Sequence, residues 1–126
     1  MRALILAIVL SGCVTGSELA EGDEAELARE LEGRVAGAPQ SCVSVTPSEA
    51  LTIVSADTLV LRRAGTIWVN RLHGDCPGLR PLHTLIVQPG LSGQYCRNDR
   101  VRAIEPGSSI AGPICPLGDF TPYRRP

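Results

Sequence analysis

The chain has 126 residues and a formal net charge of −1, enough for one domain and without the basic excess of a nucleic-acid binder. Its four aromatic residues, Trp68, Tyr95, Phe120 and Tyr123, are too few for a base-stacking platform, so no nucleic-acid partner is expected. Lysine is absent, which removes P-loop and Schiff-base chemistry.

Arg2 precedes an apolar run from Ala3 to Leu10. A membrane-spanning helix needs about 20 apolar residues, so this run reads as a processed signal. Leu10-Ser11-Gly12-Cys13 resembles the lipobox of bacterial lipoproteins. The resemblance implies that residues 1–12 are a signal peptide removed before Cys13. It also implies that Cys13 carries diacylglycerol and an N-acyl chain such as palmitate. More than one acyl chain anchors firmly. The expected place is the bacterial cell envelope, facing the periplasm, with the membrane as a partner through the lipid. Val14 is not the Asp that favours inner-membrane retention, which leans the expectation towards the outer membrane. Residues 13–22 read as a lipidated tether.

Charge is unevenly placed. Residues 14–39 hold seven acids against Arg29 and Arg34, a balance of −5, while residues 40–126 hold six acids against nine arginines, a balance of +3. Asp23-Glu24-Ala25-Glu26 resembles a capping box. Leu27, Leu31 and Val35 follow at i, i+4 and i+8, and Gly37 and Pro39 then stop the pattern. One amphipathic helix is expected over residues 23–37, its stripe packed on the domain.

From residue 40 to 122 the composition turns to Val, Ile, Leu and Thr. Strand-like runs occupy 41–46, 51–55, 57–63, 66–72, 82–87 and 100–105, separated by turn residues. Arg63-Ala64-Gly65-Thr66 reads as a tight hairpin. Residues 88–99 and 105–113 read as loops. A turn at 115–120 is expected to seat Phe120 on the core, and residues 123–126 read as a loose tail. The expected fold class is mainly β: a small disulfide-stapled antiparallel barrel or sandwich of about five or six strands, preceded by the helix. Trp68, in mid-strand, reads as a core anchor. Arg62, Arg63 and Arg71 flank the hairpin and are expected to be solvated or paired with the acidic helix.

With Cys13 lipidated, Cys42, Cys76, Cys96 and Cys115 remain. An even count in a short exported chain reads as two disulfides. Three pairings are possible; topology favours Cys76–Cys96 with Cys42–Cys115. The His73-Gly74-Asp75-Cys76 cluster could suggest metal, but the tight Cys-x₂₋₄-Cys pairs of zinc sites are missing, as is the Cys-x-x-Cys of redox proteins. No metal and no cofactor are expected.

The search for chemistry yields little. The run from Gly107 to Gly112 misses the nucleophile-elbow spacing, and Pro89-Gly90-Leu91-Ser92-Gly93 follows no strand–helix pattern. His73 and His83 are the only histidines. Either could pair with Asp75 or Asp99, yet no spacing defines a triad. The acids Glu49, Asp57, Asp75, Asp99, Glu105 and Asp119 sit at turns and strand ends, where acids serve turn geometry. No catalytic residue is assigned, and the chain reads as a non-enzyme.

Residues 42–120 resemble a family of small uncharacterised exported proteobacterial proteins, a domain of unknown function. The carriers are Cys42, then Arg71-Leu72-x-Gly74-x-Cys76-Pro77-Gly78-Leu79, then Cys96-x-Asn98-Asp99-x-Val101. Cys115-Pro116-Leu117-Gly118-Asp119-Phe120-Thr121-Pro122 completes the set. The resemblance implies class and no activity. Ser92-Gly93-Gln94-Tyr95 resembles, one residue short, the Ser-Gly-x-x-Tyr loop of lysozyme-inhibiting lipoproteins; no Trp-x-Lys-Gly follows. The leading expectation is a lipid-anchored envelope protein that binds another envelope protein or a glycan, or supports assembly. The alternatives are an inhibitor of a cell-wall hydrolase and a small enzyme using His73 or His83.

Overall fold

The structure, a computed structural model, describes Gly12 and residues 16–126, with side chains from Gly22 onward. The signal cleavage and the lipidation at Cys13 fall outside the described residues. One helix, α1 (Gly16–Leu31), precedes ten strands. These are β1 (Val35–Ala36), β2 (Cys42–Ser44), β3 (Thr52–Ser55), β4 (Thr58–Arg63) and β5 (Thr66–Arg71), then β6 (Thr84–Gln88), β7 (Gln94–Cys96), β8 (Arg100–Ile104), β9 (Cys115–Pro116) and β10 (Phe120–Arg124). They form a five-stranded sheet in the order β1-β10-β5-β4-β3, a pair β2-β7, and a three-stranded sheet β6-β8-β9. Every pairing is antiparallel. The fold is mainly β and sandwich-like, and among the described residues no sheet closes into a barrel.

The five-stranded sheet buries both faces. Cross-strand partners share a face, so Leu59 with Asn70, Leu61 with Trp68, and Asn70 with Phe120 line one side. This side meets Val43, Leu79, Val101, Ala103 and Leu117 from the smaller sheets and their loops. Val60, Val69 and Ile67 line the other side, where Leu27, Leu31 and Tyr123 cover them. Trp68 is thus a core anchor as expected, and Phe120 is fully buried. The order is helix, large sheet, small sheets.

The β4–β5 hairpin forms at the expected residues. Arg63 pairs with Thr66, and Ala64 and Gly65 both take positive φ, 47° and 80°, the signature of a type I′ turn. The helix departs from expectation at both ends. It begins at Gly16, inside the stretch read as a tether, and stops at Leu31. Gly33 adopts φ 73° and ends it four residues before Gly37. Arg34 then reaches the hairpin, donating to the Gly65 carbonyl at 2.6 Å. Val35 leaves the helical stripe for β1 and is 60% exposed.

Four strands were not expected. β1, β7 and β9 are two or three residues long and carry no alternating pattern of their own. β10 runs through the residues expected as the loose tail, and it lies between β1 and β5. Its Pro122 would argue against such a place. The Pro122 carbonyl accepts from Gly37 N–H at 2.7 Å, so the missing donor faces the ragged β1 side and costs no bond to β5.

Polar contacts fix the helix on the sheet. Arg62 donates to both Glu30 oxygens, Nε at 2.8 Å and NH2 at 2.7 Å. The Ser55 hydroxyl lies 2.7 Å from Glu24 Oε1 and 2.9 Å from Asp57 Oδ1, and Thr58 donates to Asp57 at 2.8 Å. Arg71 stands 3.7 Å from Glu24, and Arg63 pairs with Glu49 at 3.1 Å while also donating to the Ser44 carbonyl. The three flanking arginines are therefore paired, two of them with the acidic helix. The Arg62 hydrogen bonds hold Glu30 below the usual carboxylate value against the opposing effect of burial. Asp57 is lowered in the same direction, first by the Thr58 hydroxyl and then by Ser55 and Arg71.

A buried side chain closes the far end of β5. Asn70 donates from Nδ2 to the Gly118 carbonyl at 2.7 Å, and Gly118 N–H donates back to Oδ1 at 2.9 Å. A Cβ on Gly118 would lie 2.1 Å from the Arg71 carbonyl oxygen, a backbone atom that cannot step aside.

Two predictions follow from these contacts. Gly118→Ala is expected to cost about 1–3 kcal/mol by overpacking. Asn70→Ala is expected to cost roughly 2–4 kcal/mol because it strands two buried backbone groups. Urea titration with an unchanged slope checks both. The second prediction concerns pH. Carboxylates whose folded pKa is depressed stabilise the fold above their ordinary pKa, and lose that contribution as pH falls through the folded value. Melting temperature should therefore hold between about pH 7 and 5 and decline below about pH 4. The Glu30→Gln/Asp57→Asn variant should show a shallower decline in the same scan.

Candidate functional site

The two disulfides are Cys42–Cys96 and Cys76–Cys115. This corrects the favoured pairing of Cys76 with Cys96 and Cys42 with Cys115. The cause is β7, inside the segment read as a loop. It returns to β2 and sets Cys96 directly opposite Cys42, with Cα atoms 4.0 Å apart. Cys76 is held by its N–H to the Ala56 carbonyl, 2.8 Å, and faces Cys115 on β9. The bridges join positions 54 and 39 residues apart. In the chain-entropy account each contributes about 4 kcal/mol. Asp99 seals the same region: its carboxylate accepts from Gly90 N–H at 3.0 Å and Cys96 N–H at 2.7 Å. Proteolysis without reduction should release one linked peptide pair holding Cys42 with Cys96 and another holding Cys76 with Cys115, identified by mass.

Three surface hollows contain side chains that are already bonded, beside the carboxylates of Asp23 and Glu26 in the first. The groove of about 440 Å³ between α1 and β3 holds Asp23, Glu26 and the Glu30–Arg62 pair. The hollow of about 330 Å³ beside Gly90 contains Asp99, whose oxygens are taken. The one of about 280 Å³ at the hairpin holds Arg34, Glu30 and Arg62, already bonded.

A depression of about 240 Å³ differs. Arg80, His83, Glu105, Ser108 and Ile110 line it, with Gly78, Ala103 and Gly112 as its floor. Two proline turns build the rim. Glu105-Pro106-Gly107-Ser108 closes with Ser108 N–H on the Glu105 carbonyl at 3.0 Å, and Gly107 at φ 82°. Arg80-Pro81-Leu82-His83 closes with His83 N–H on the Arg80 carbonyl at 3.1 Å, and Leu82 at φ 73°. Both are type II turns, whose third position requires positive φ and favours glycine. The first has its glycine; the second has a leucine that is 81% exposed. Such backbone strain costs about 1–3 kcal/mol. Across the depression Ile110 is 80% exposed, its N–H bonded to the Ser108 hydroxyl at 3.1 Å.

His83 Nδ1 lies 2.9 Å from the Gly78 carbonyl. A carbonyl only accepts, so Nδ1 is the donor in this contact. His83 thus shares a depression with an acid and a hydroxyl, but no hydrogen bond among the described residues links the three. His73 and Asp75 are exposed in the loop before Cys76. Tyr95 is held in β7 opposite Val43 and packs on the core, so the Ser92–Tyr95 segment does not offer it as a free loop residue. The rim escaped the sequence reading because a leucine in a glycine position carries no sequence mark; only the repeated x-Pro-x-x spacing hinted at it.

Comparison with protein-family models, curated proteins and solved structures finds no match for this chain.

Proposed function

We propose that the chain is a lipid-anchored envelope protein that faces the periplasm and recognises another envelope component, a protein or a glycan, through the rim formed by Leu82 and Ile110. The observation that carries this reading is Leu82, a fully presented apolar side chain kept in a conformation glycine would adopt at no steric cost. The neighbouring turn holds glycine at the same place, whereas here a leucine occupies it at a local stability cost. The helix adds a spatial consequence. With the anchor at Cys13 and α1 beginning at Gly16, three peptide steps, at most about 11 Å, separate lipid from helix. The sandwich then works close to its own bilayer.

A pull-down from envelope extracts tests the reading. The mature protein should retain an envelope protein or glycan. Leu82→Gly should raise stability by about 1 kcal/mol and weaken that retention at least tenfold. Retention unchanged by Leu82→Gly and by Ile110→Asp would contradict it.

A second reading, a small enzyme, draws on His83 beside Glu105 and Ser108 in one depression. It requires an activity that His83→Ala abolishes while the melting temperature stays within a few degrees.

A further inference from the structure

We propose that the outer edge of β6 is a self-association edge, at which two copies of the chain pair β6 with β6 across a two-fold axis through Ile86. The proposal is independent of the recognition reading above and concerns a different surface.

The direction of each amide comes from the neighbouring strand. Gly112 N–H donates to the Ala103 carbonyl and Leu117 N–H to the Asp99 carbonyl, both at 2.9 Å. Odd-numbered residues of β8 therefore face β9, and Arg100, Arg102 and Ile104 face β6. Their partners Gln88, Ile86 and Thr84 spend their backbone groups on β8. The N–H and C=O groups of Leu85 and Val87 point to the open side, and they have no backbone partner among the described residues.

Natural proteins guard such edges with charge, proline, a bulge or brevity. The other sheet edges here are guarded. β1 and β9 are two residues long, and β9 contains Pro116. β2 and β7 have three residues each. β3 carries a register shift between Ile53 and Ser55 and lies against α1. Within its own residues β6 carries no charge, proline or bulge, and Pro89 follows only at its end. The strand reads Thr-Leu-Ile-Val-Gln, five residues in unbroken register with β8.

The edge is also complementary to itself. Its outward amides sit at 85 and 87, symmetric about 86. A two-fold axis there sets Leu85 against Val87 of the second copy and Val87 against Leu85, satisfying four backbone hydrogen bonds. Ile86 meets its own copy in the close, non-hydrogen-bonded kind of pair, with Cα atoms about 4.5 Å apart. Thr84 meets Gln88. No charged side chain stands at the seam. Arg102 lies one strand back, about 14 Å from its copy, and Arg100 lies farther still from its own, both beyond the screening length of about 8 Å. Gln88 of the second copy comes onto the face that holds Arg102, whose Nε is buried without a partner. The result is a closed, isologous six-stranded sheet.

The contact is small, so the dimer should be weak, with a dissociation constant in the micromolar range or above. Sedimentation velocity on the full-length chain with both disulfides intact tests it. Between about 1 and 300 μM the average mass should rise from that of the 13.3 kDa chain towards twice it and stop there. Ile86→Lys, which puts two ammonium groups at the axis, should weaken association at least tenfold with unchanged circular dichroism. Ile86→Cys should oxidise to a linked dimer, because 4.5 Å between Cα atoms lies within disulfide reach of about 4.4–6.8 Å. Thr84→Cys, which faces Gln88, should link no more than the wild type does. A monomer at every concentration overturns the proposal. So does association that Ile86→Lys leaves intact, growth past the dimer, or equal linking by Thr84→Cys and Ile86→Cys. If Ile86→Lys fails to fold, the two cysteine variants decide.

Discussion

A sheet with two apolar faces must be covered twice. β4, β5 and β10 present Leu59, Leu61, Trp68 and Phe120 on one side and Val60, Ile67 and Val69 on the other. In a chain of this size one wall has to come from the helix and the other from two sheets of two and three strands. Those small sheets are too short to hold themselves, and each has its own disulfide. Cys42–Cys96 joins the two strands of one, and Cys76–Cys115 ties the other to the loop that follows β5. The staples and the ion pairs of α1 belong to the same task of closing a core that a short chain closes with difficulty.

The strands that carry their own pattern were legible in the sequence. β3, β4, β5, β6 and β8 are four to six residues long and carry Val, Ile or Leu at most of their inward positions, and Ala64-Gly65 marks the hairpin. What was not legible depends on partners far away in the chain. Val35-Ala36 is a strand only because Arg124 and Tyr123 lie beside it. Phe120 to Arg124 holds a proline and an arginine, and becomes strand by pairing with β5. β7 is three residues long, and missing it displaced both disulfide pairings, because Cys96 was assigned to a loop when it stands opposite Cys42. The helix erred for a local reason: Gly33 and Gly37 are both plausible stops, and the contact of Arg34 with Gly65 accompanies the earlier one.

The candidate site follows from the same economy. Most charged groups are consumed in fastening: Glu24, Glu30, Asp57 and Asp99 each bind a partner from another element or loop. The depression lined by Arg80, His83, Glu105, Ser108 and Ile110 adjoins in sequence the strained Leu82, so side chains without a partner from another element lie near backbone strain. At Leu82 an exposed apolar side chain and a positive φ occur at the same residue, a local conflict with folding alone. On the far side of His83 the chain enters β6, whose unguarded edge is the second place where the fold leaves backbone groups open.

The two disulfides call for an oxidising compartment, and the proposed anchor calls for export and lipidation at Cys13. The most direct test is the intact mass of the protein purified from membranes, without and with reduction and alkylation. The account requires a mass beginning at Cys13 with acyl chains added, and four further thiols that alkylate only after reduction. An unlipidated mass with thiols that alkylate freely would contradict it, since neither the anchor nor the oxidised frame would then exist in the cell.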